Sequence, residues 1–294
     1  MNLLAAKRMR VSGASALSSP YTIGIPSISG MYGFVERLAY EIRNLGIDPS
    51  FESACFVIHG HKLRAKEENK RGVMVPYGKL WPGTVSGNHV KPASFIENPE
   101  IDLEVSVLVR FEEGVSQKTL RKVPKEAKRL ISSGFLRFAG GDVTNADSVG
   151  VETFSAETGY EAAKRLGPGF VILERRDVLE EEFERTGDVF HALLASVSPQ
   201  VKIGTDEEGR YEARYERRHD GWLFPIGVGF MRISPFAENV KGARSGTRHA
   251  FAEAVATVGE AKSLYRVENL EEATWRPAVR GDYYVYTTKR SENG

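Results

Sequence analysis

The chain holds almost no cysteine: Cys55 is the only one among 294 residues. A single thiol excludes an internal disulfide and any zinc site built from several cysteines. Long apolar runs are also missing, since no stretch reaches the roughly 18 residues that a membrane-spanning helix needs. The first residues, MNLLAAKRMRVSG, have only Leu3 to Ala6 before the charges begin, which is too short for the core of a signal peptide. These absences predict a cytoplasmic protein with no membrane partner.

Familiar catalytic and cofactor signatures are absent as well. The sequence has no HExxH, no GxSxG and no dinucleotide-binding glycine motif. Residues 72–80, GVMVPYGKL, are similar to a phosphate-binding loop, but their two glycines stand one residue too far apart. Leu80 also takes the place of the hydroxyl that would bind a metal ion in such a loop. We therefore expect no cofactor and no metal ion.

The formal net charge is +1, so charge alone neither favours nor excludes a nucleic-acid partner. A nucleic-acid-binding protein of this charge must collect its cations on one surface, and the sequence does sort them. Three groups are basic: Lys7, Arg8 and Arg10; Lys62, Arg64, Lys66, Lys70 and Arg71; and Lys241, Arg244, Arg248 and His249. The acids concentrate in residues 174–184. For any one of these basic groups alone, a solvated surface is the simpler interpretation.

The first 145 residues alternate between strand and helix patterns. The predicted elements begin with a strand over residues 3–17, with Arg8 and Arg10 on one face, and a loop from Leu17 that leads to a helix from Gly33 to Leu45. A strand over 54–59 that ends in a basic hairpin arm follows, and then an irregular excursion over 72–99. The last elements are a strand over 100–111, a helix over 117–132 after the N-cap Ser116, and a short strand with Arg137. Pro124 either kinks the second helix or marks its first turn. This order predicts an α+β fold with a modified ferredoxin-like βαββαβ core, the scaffold of RNA-recognition modules.

The second half of the chain has looser patterns. Helices are predicted over residues 157–166, 176–196 and 247–258, and strands over 221–236 and 282–288, while 204–218 is either a polar hairpin or a flexible link. We divide the chain into the RNA-binding core over 1–145 with an inserted arm over 60–99, a helical and irregular insertion over 146–220, and a strand-rich extension over 221–294 that completes the sheet.

Three small sets of residues carry candidate chemistry. His59 and His61 share one face of an extended segment, which suits a ligand pair or a general acid and base, but nothing supplies further ligands at a telling spacing. Gly140 and Gly141 follow Arg137. In one interpretation they let a polynucleotide backbone approach the main chain beside a phosphate-binding guanidinium. In the other they form a plain tight turn. Trp222 and Phe224 either stack on bases or belong to the core.

Four blocks in the same order resemble a known family. LSSPYTIGIPSISGMYGFVERL is similar to the N-terminal signature of the Cas five subunit of type I-F CRISPR surveillance complexes, the Csy two family. The matching positions are Ser18, Ser19, Pro20, Thr22, Gly24, Pro26, Ser27, Gly33, Phe34, Val35 and Leu38. LEVSVLV at 103–109, RFAGGDV at 137–143 and GWLFPIGVGFMRISP at 221–235 resemble its later blocks. The last block departs from the family form at Phe230, Arg232 and Ile233.

The resemblance implies a non-catalytic RNA-binding subunit. Such a subunit binds the 5′ handle of the CRISPR RNA and caps a backbone of Cas seven type subunits. It also pairs with a large subunit where one is present, and it lies near the site where target double-stranded DNA is recognised. By position, Ser18, Ser19, Tyr21, Thr22, Arg137, Gly140 and Gly141 would lie against the RNA, and we add Arg8, Arg10 and Arg232 from charge. His59, His61, Lys62, Arg64, Lys66, Lys70 and Arg71 are an arm suited to RNA or duplex DNA. In compact variants that lack the large subunit, residues 72–99 and 146–220 are where a DNA-recognition element would reside.

Two alternatives of other classes stay open. The first is a metal-independent endoribonuclease that processes precursor CRISPR RNA, with His59 or His61 as the general base. The second is a metabolic α+β enzyme, which would have a closed apolar pocket with perturbed carboxylates and no salt-sensitive RNA binding.

Overall fold

A computed structural model describes residues 1–68, 73–76, 79–80, 85–86, 89–90, 95–96, 99–205, 211–238, 240–242 and 247–288, with the backbone alone over 66–96. In chain order its elements are β1 (Asn2–Ser15), β2 (Leu17–Ser19), β3 (Thr22–Ile23), α1 (Ile28–Asn44), β4 (Phe51–Leu63), β5 (Ala65–Glu68), β6 (Val73–Pro76), β7 (Lys79–Leu80), β8 (Val85–Ser86), β9 (His89–Val90), β10 (Phe95–Ile96) and β11 (Glu100–Phe111). These are followed by α2 (Gln117–Ser132), β12 (Arg137–Phe138), β13 (Gly141–Val143), β14 (Gly150–Ser155), α3 (Gly159–Leu166), β15 (Phe170–Glu174), α4 (Arg176–Thr186), α5 (Val189–Val197), β16 (Gln200–Thr205), β17 (Tyr211–Glu216), β18 (Trp222–Arg232), β19 (Ala252–Ser263), β20 (Arg276–Arg280) and β21 (Tyr283–Thr287). Short 3₁₀ turns span Ala146–Ser148, Leu264–Arg266 and Leu270–Ala273.

One large antiparallel sheet organises this α+β fold. Its strands lie in the order β12-β13-β1-β11-β4-β15-β19-β18-β21-β20, and β14 pairs with β1 beyond the end of β13. The strands from the first 143 residues are neighbours in the order β13-β1-β11-β4, with α1 and α2 in their connections. The long strands β18 and β19 then continue the same sheet through β15.

Both faces of the central strands are buried, which explains the unbroken apolar run in β4. Even-numbered β4 residues such as Phe56 and Ile58 join the core beneath α1 and α2. Cys55 and Val57 point to the other face, where α3 and the 3₁₀ turns after β19 cover them. A strand buried on two sides needs apolar residues at every position.

The two long helices have the ends that their sequences dictate. α1 begins at Ile28, earlier than the predicted Gly33, because the Ser27 hydroxyl caps it by accepting the Gly30 N–H at 3.0 Å. The predicted N-cap of α2 is confirmed, since the Ser116 hydroxyl accepts the Thr119 N–H at 3.1 Å. Pro124 therefore lies inside α2 and does not mark its first turn.

The predicted helix over 247–258 is wrong. β19 occupies most of that stretch and is paired along its length with β18 and, at its far end, with β15. Alanine and glutamate favour helices, but pairing with strands on both sides overrides that local preference. Gly259 packs against Ile172 and Ile226, where a side chain would meet both.

The predicted helix over 176–196 is two helices. Gly187 ends α4 in the left-handed conformation (φ 69°), and the Asp188 carboxylate caps α5 by accepting the His191 N–H at 2.7 Å. The helix predicted over 157–166 is confirmed as α3, and the hairpin interpretation of 204–218 is confirmed by the pairing of β16 with β17. The strands predicted over 221–236 and 282–288 are present as β18 and β21.

The predicted excursion between β4 and β11 contains short paired strands. β4 continues past the predicted His59 to Leu63, and β5 then pairs with β6 as a hairpin. β7 pairs with β10, and β8 with β9, so the backbone of this segment is a series of two-stranded ribbons.

Candidate nucleic-acid interface

Three of the sequence blocks that lie far apart in the chain meet at the end of β1. The Ser15 N–H donates to the Ala139 carbonyl at 2.9 Å, which holds the 137–142 turn against β1. The Gly227 N–H of β18 donates to the Ser18 hydroxyl, also at 2.9 Å. The 16–24 loop is therefore fixed between the 137–142 turn on one side and β18 on the other.

The two serine hydroxyls of the 16–24 loop are used inside the protein. Ser18 and Ser19 are both buried, and the Ser19 hydroxyl lies 2.9 Å from the Thr22 hydroxyl and accepts the Tyr21 N–H. Tyr21 is the opposite case, because its side chain is 83% exposed, and its ring lies edge-on to that of Phe190 with the centroids 6.5 Å apart. The serines hold the loop in shape, and Tyr21 is more exposed than Leu17 and Ile23, the other large apolar side chains that the loop presents to solvent.

The 137–142 turn has one structural glycine and one open glycine. A Cβ at Gly141 would lie 2.6 Å from the Ala14 nitrogen, so this position requires glycine for the close approach of β13 to β1. Gly140 has a φ of 84° and no neighbour within 4 Å of the place that a Cβ would occupy. Arg137 is 66% exposed and makes one long ion pair with Asp142, at 3.4 Å. The turn thus presents an accessible guanidinium beside bare backbone.

The basic residues of β1 differ from each other. The Arg8 guanidinium pairs with Glu104 at 2.6 Å and donates to the Leu166 carbonyl at 3.1 Å, so it ties β1 to the end of α3. Its hydrogen bond to Glu104 lowers the pKa of that carboxyl. The Arg10 side chain is exposed and, within the described ranges, forms no ion pair.

His59 is locked in place by both ring nitrogens. Nδ1 lies 2.7 Å from the Pro168 carbonyl and Nε2 lies 2.7 Å from the Ser106 hydroxyl, which also accepts the Arg8 N–H. Because a carbonyl only accepts, the proton sits on Nδ1, and Nε2 accepts from the serine. Burial lowers the pKa of this imidazole and favours the neutral form. His61 is exposed, with its ring edge against Phe170.

The remaining arm residues separate into two groups. Arg64 is held by Glu100 at 2.6 Å, Asp102 at 2.7 Å and the Ser12 hydroxyl at 2.7 Å, and its hydrogen bond to Asp102 lowers the pKa of that carboxyl. Lys62 is exposed. The Lys66 side chain and residues Lys70 and Arg71 lie outside the described residues.

Arg232 lies at the end of β18, away from the 137–142 turn. Its guanidinium pairs with Asp282, donates to the Ser234 carbonyl at 3.1 Å and stacks on the Phe236 ring. These contacts connect β18 to the turn before β21.

Sequence reasoning missed an open cleft at the start of β18. Trp222 is 74% exposed, so of its two interpretations the core one is wrong, and with Phe170 it lines a cleft of about 410 Å³. Lys262 and Arg266 border the same cleft and, among the described residues, have no carboxylate partner. The sequence did not indicate this cleft, because a helix was predicted over 247–258 and residues 260–266 were therefore not assigned to a strand of the sheet.

The described part of the chain offers no metal centre, since no three His, Cys, Asp or Glu side chains are grouped to hold an ion. None of its described helices is both long enough and apolar enough to cross a bilayer.

Comparison with known proteins decides the family. A family model described as "CRISPR-associated protein (Cas_Csy2)" matches residues 4–288. The chain belongs to the Csy2 family. It is also 26% identical over 312 aligned positions to CRISPR-associated protein Csy2 of Pseudomonas aeruginosa (strain UCBPP-PA14), with 97% of this chain and 94% of that protein covered. The resemblance read from four sequence blocks is confirmed, and membership of Csy2 makes the chain a subunit of a CRISPR type I-F Cascade.

Proposed function

We propose that this Cascade subunit binds the 5′ handle of the CRISPR RNA without cutting it. The observation that carries the proposal is the meeting of the 16–24 loop, the 137–142 turn and β18 at the end of β1. This arrangement brings an exposed aromatic ring, an exposed guanidinium and an open glycine backbone onto elements that are fixed to one another.

The chemistry of these groups suits a single-stranded RNA end. Tyr21 offers a flat ring on which an unstacked base can stack, and a guanidinium such as Arg137 binds phosphate through two parallel hydrogen bonds. Gly140 lets a sugar-phosphate backbone approach the main chain, since no side chain stands in the way. Arg10, Thr22 and the cleft at Trp222 are further contact points that we assign to the same RNA. Ser18, Ser19, Gly141 and Arg8 act by holding these elements in position.

We propose that the first 145 residues are a modified ferredoxin-like core. Two features support this: the order strand, helix, strand, strand, helix, strand along the chain, and the spatial order β13-β1-β11-β4 with both helices on one face. In this scheme the loop between β1 and α1, which carries Tyr21, is an insertion that reaches across the sheet to β18.

We propose that other Cascade subunits cover the exposed apolar side chains of α4 and α5. Phe183, Val189, Phe190 and Leu194 are all exposed there. Exposed apolar side chains on two neighbouring helices are typical of a protein interface. The backbone subunits of Cas seven type, and a large subunit where one is present, are the expected neighbours, and target duplex DNA is the expected second nucleic acid.

The position of His59 supports a role without catalysis. A general base must present a free ring nitrogen to the substrate hydroxyl, and both nitrogens of His59 already have partners within the protein. No geometry among the described residues favours the endoribonuclease alternative.

The test compares two arginines in similar surroundings. Arg137 and Arg214 are both exposed and each pairs with a carboxylate of its own hairpin, Asp142 and Glu212 respectively. We expect Arg137→Gln to weaken binding of a labelled 5′-handle RNA by about tenfold, in line with the loss of one charge-assisted phosphate contact. Arg214→Gln should leave the affinity unchanged. Equal affinities for the two variants would contradict the assignment of the 137–142 turn.

A further inference from the structure

The exposed face of α2 is strongly basic. Five cations occupy it at the spacing of one helical stripe: Lys118, Arg121, Lys122, Lys125 and Arg129. The opposite face is buried through Val123, Ala127, Leu130 and Ile131 and packs on the sheet. The stripe therefore faces solvent over its whole length, which is about 16 Å from Lys118 to Arg129 at the helical rise per residue.

Only one of the five cations of this stripe forms an ion pair with a residue that the structure describes. Arg129 pairs with Glu126 at 2.9 Å. Lys118, Arg121, Lys122 and Lys125 make no ion pair with any residue that the structure describes. Four of the five cations thus form no direct ion pair with a described residue, although the carboxylates of Asp48, Glu112 and Glu113 line the same hollow as Lys118 and Lys122.

The stripe is unfavourable to the isolated chain in two ways. Like charges one turn apart repel each other, as Lys118 and Lys122 do, and again Arg121 and Lys125. The first turn of α2 has no acidic residue, so Lys118 also faces the positive end of the helix dipole. A bound polyanion relieves both repulsions.

The composition of α2 distinguishes between a single strand and a duplex. Proteins that hold single strands combine cations with aromatic rings on which bases stack. α2, QKTLRKVPKEAKRLIS, contains no aromatic residue, so its exposed face offers contacts to phosphates and none to unstacked bases. A helix of about 10–12 Å diameter can place its exposed face in the B-form major groove, about 12 Å wide, whereas the narrow major groove of an RNA duplex does not admit it.

We propose that the exposed face of α2 binds the phosphate backbone of double-stranded DNA. This surface shares no residue with the 137–142 turn or the 16–24 loop, and the proposal does not depend on where the RNA handle binds. Because the contacts are to phosphates, the binding is expected to be insensitive to DNA sequence and strongly dependent on salt.

The test uses the full chain and two variants of equal net charge. In the first, Lys118, Arg121, Lys122 and Lys125 are all changed to Gln. In the control, four exposed cations elsewhere are changed to Gln: Lys164, Arg165, Lys202 and Arg214. Fluorescence anisotropy with a short labelled DNA duplex of arbitrary sequence is measured across a salt series for both variants and the wild type.

The expected result is a change in the salt dependence. Four lost phosphate contacts should lower the slope of log affinity against log salt by about three to four in the α2 variant, with the control retaining the wild-type slope. Circular dichroism should show that the α2 variant is folded, since the four side chains are exposed and removing them relieves repulsion. Equal slopes in the α2 variant and the control would overturn the proposal.

Three further probes separate this surface from the RNA site. A labelled 5′-handle RNA should bind the α2 variant as it binds the wild type, and an RNA duplex should bind the wild type more weakly than the DNA duplex. The assignment would be overturned if the α2 variant lost affinity for the handle RNA and for the DNA duplex in equal measure. It would also be overturned if the wild type bound the RNA duplex and the DNA duplex with equal affinity. The wild-type chain could bind no handle RNA while the α2 variant still bound the DNA duplex more weakly than the wild type. In that case the proposed RNA-binding function would be wrong and the DNA-binding proposal would stand.

Discussion

The Ser18 hydroxyl accepts a hydrogen bond from the Gly227 amide at 2.9 Å, across 209 residues of chain. Both groups are buried, and a Cβ at Gly227 would overlap the carbonyl oxygen of Ser18. The 16–24 loop therefore lies directly on the backbone of β18. This contact fixes the position of Tyr21, so the shape of the proposed RNA site depends on a glycine from the last third of the chain.

The first prediction concerns that glycine. Gly227→Ala forces the loop away from β18 and should lower the free energy of unfolding by about 3 kcal/mol or more, as overpacking at a rigid backbone contact does. The measurement is denaturation by urea. Gly33→Ala is the matched control, because no atom lies within 4 Å of the place that its Cβ would occupy. As a helix-interior glycine, it should instead stabilise the chain by about 0.5–1 kcal/mol. A Gly227→Ala protein of wild-type stability would show that the loop does not rest on β18.

The second prediction concerns the cleft at Trp222. If a base stacks on this ring, Trp222→Ala should weaken binding of the handle RNA by about fivefold or more, which corresponds to the loss of one stacking contact. Tyr211→Ala removes a ring that is 88% exposed on a separate hairpin and serves as the control. Neither change should alter the melting temperature. The same affinity for both variants would remove the cleft from the RNA path.

The third prediction concerns pH. Burial lowers the pKa of His59 below its ordinary value of 6.5, so the unfolded chain takes up this proton more readily than the folded chain. The contribution of His59 to stability is therefore complete above about pH 6.5 and is lost as pH falls through the folded pKa. We expect the free energy of unfolding to drop between about pH 7 and pH 5, and to drop less in His59→Gln. Parallel pH profiles for the two proteins would contradict this account.

The fourth prediction concerns the single thiol. Cys55 is fully buried in β4, and burial raises its pKa to about 12. Since the thiolate is the reactive form, an aromatic disulfide reagent should label none of the native protein at neutral pH and about one thiol per chain after unfolding in urea. Rapid labelling of the native protein would show that the covering of β4 by α3 opens readily.

The sequence predicted those elements that local pattern determines. Ser116 and the apolar spacing of Leu120, Ala127 and Leu130 predicted α2 at its observed bounds, and the alternation from Leu103 to Phe111 predicted β11. β19 was missed because its alanines and glutamates favour a helix when taken alone, and only pairing with β15 and β18 makes them a strand.

The candidate site was predictable as separate pieces. Sequence blocks marked the 16–24 loop, the 137–142 turn and β18, but their contact with one another is tertiary and has no local signal. The roles of Ser18 and Arg64 also depend on partners far along the chain, at Gly227 and at Asp102. The basic stripe of α2 lies within a helix whose bounds the sequence predicted, but its exposure depends on which face of that helix packs on the sheet.

We expect the chain to recognise the 5′ handle and to leave the RNA intact. The most direct measurement is binding of a complete CRISPR RNA, and of the same RNA without its handle, to the full chain with co-expressed Cascade partners across a salt series. Each mixture is then run on a denaturing gel. We expect salt-dependent binding that weakens when the handle is removed, with uncut RNA in every lane. Equal binding of the two RNAs, or a cleaved product, would contradict it.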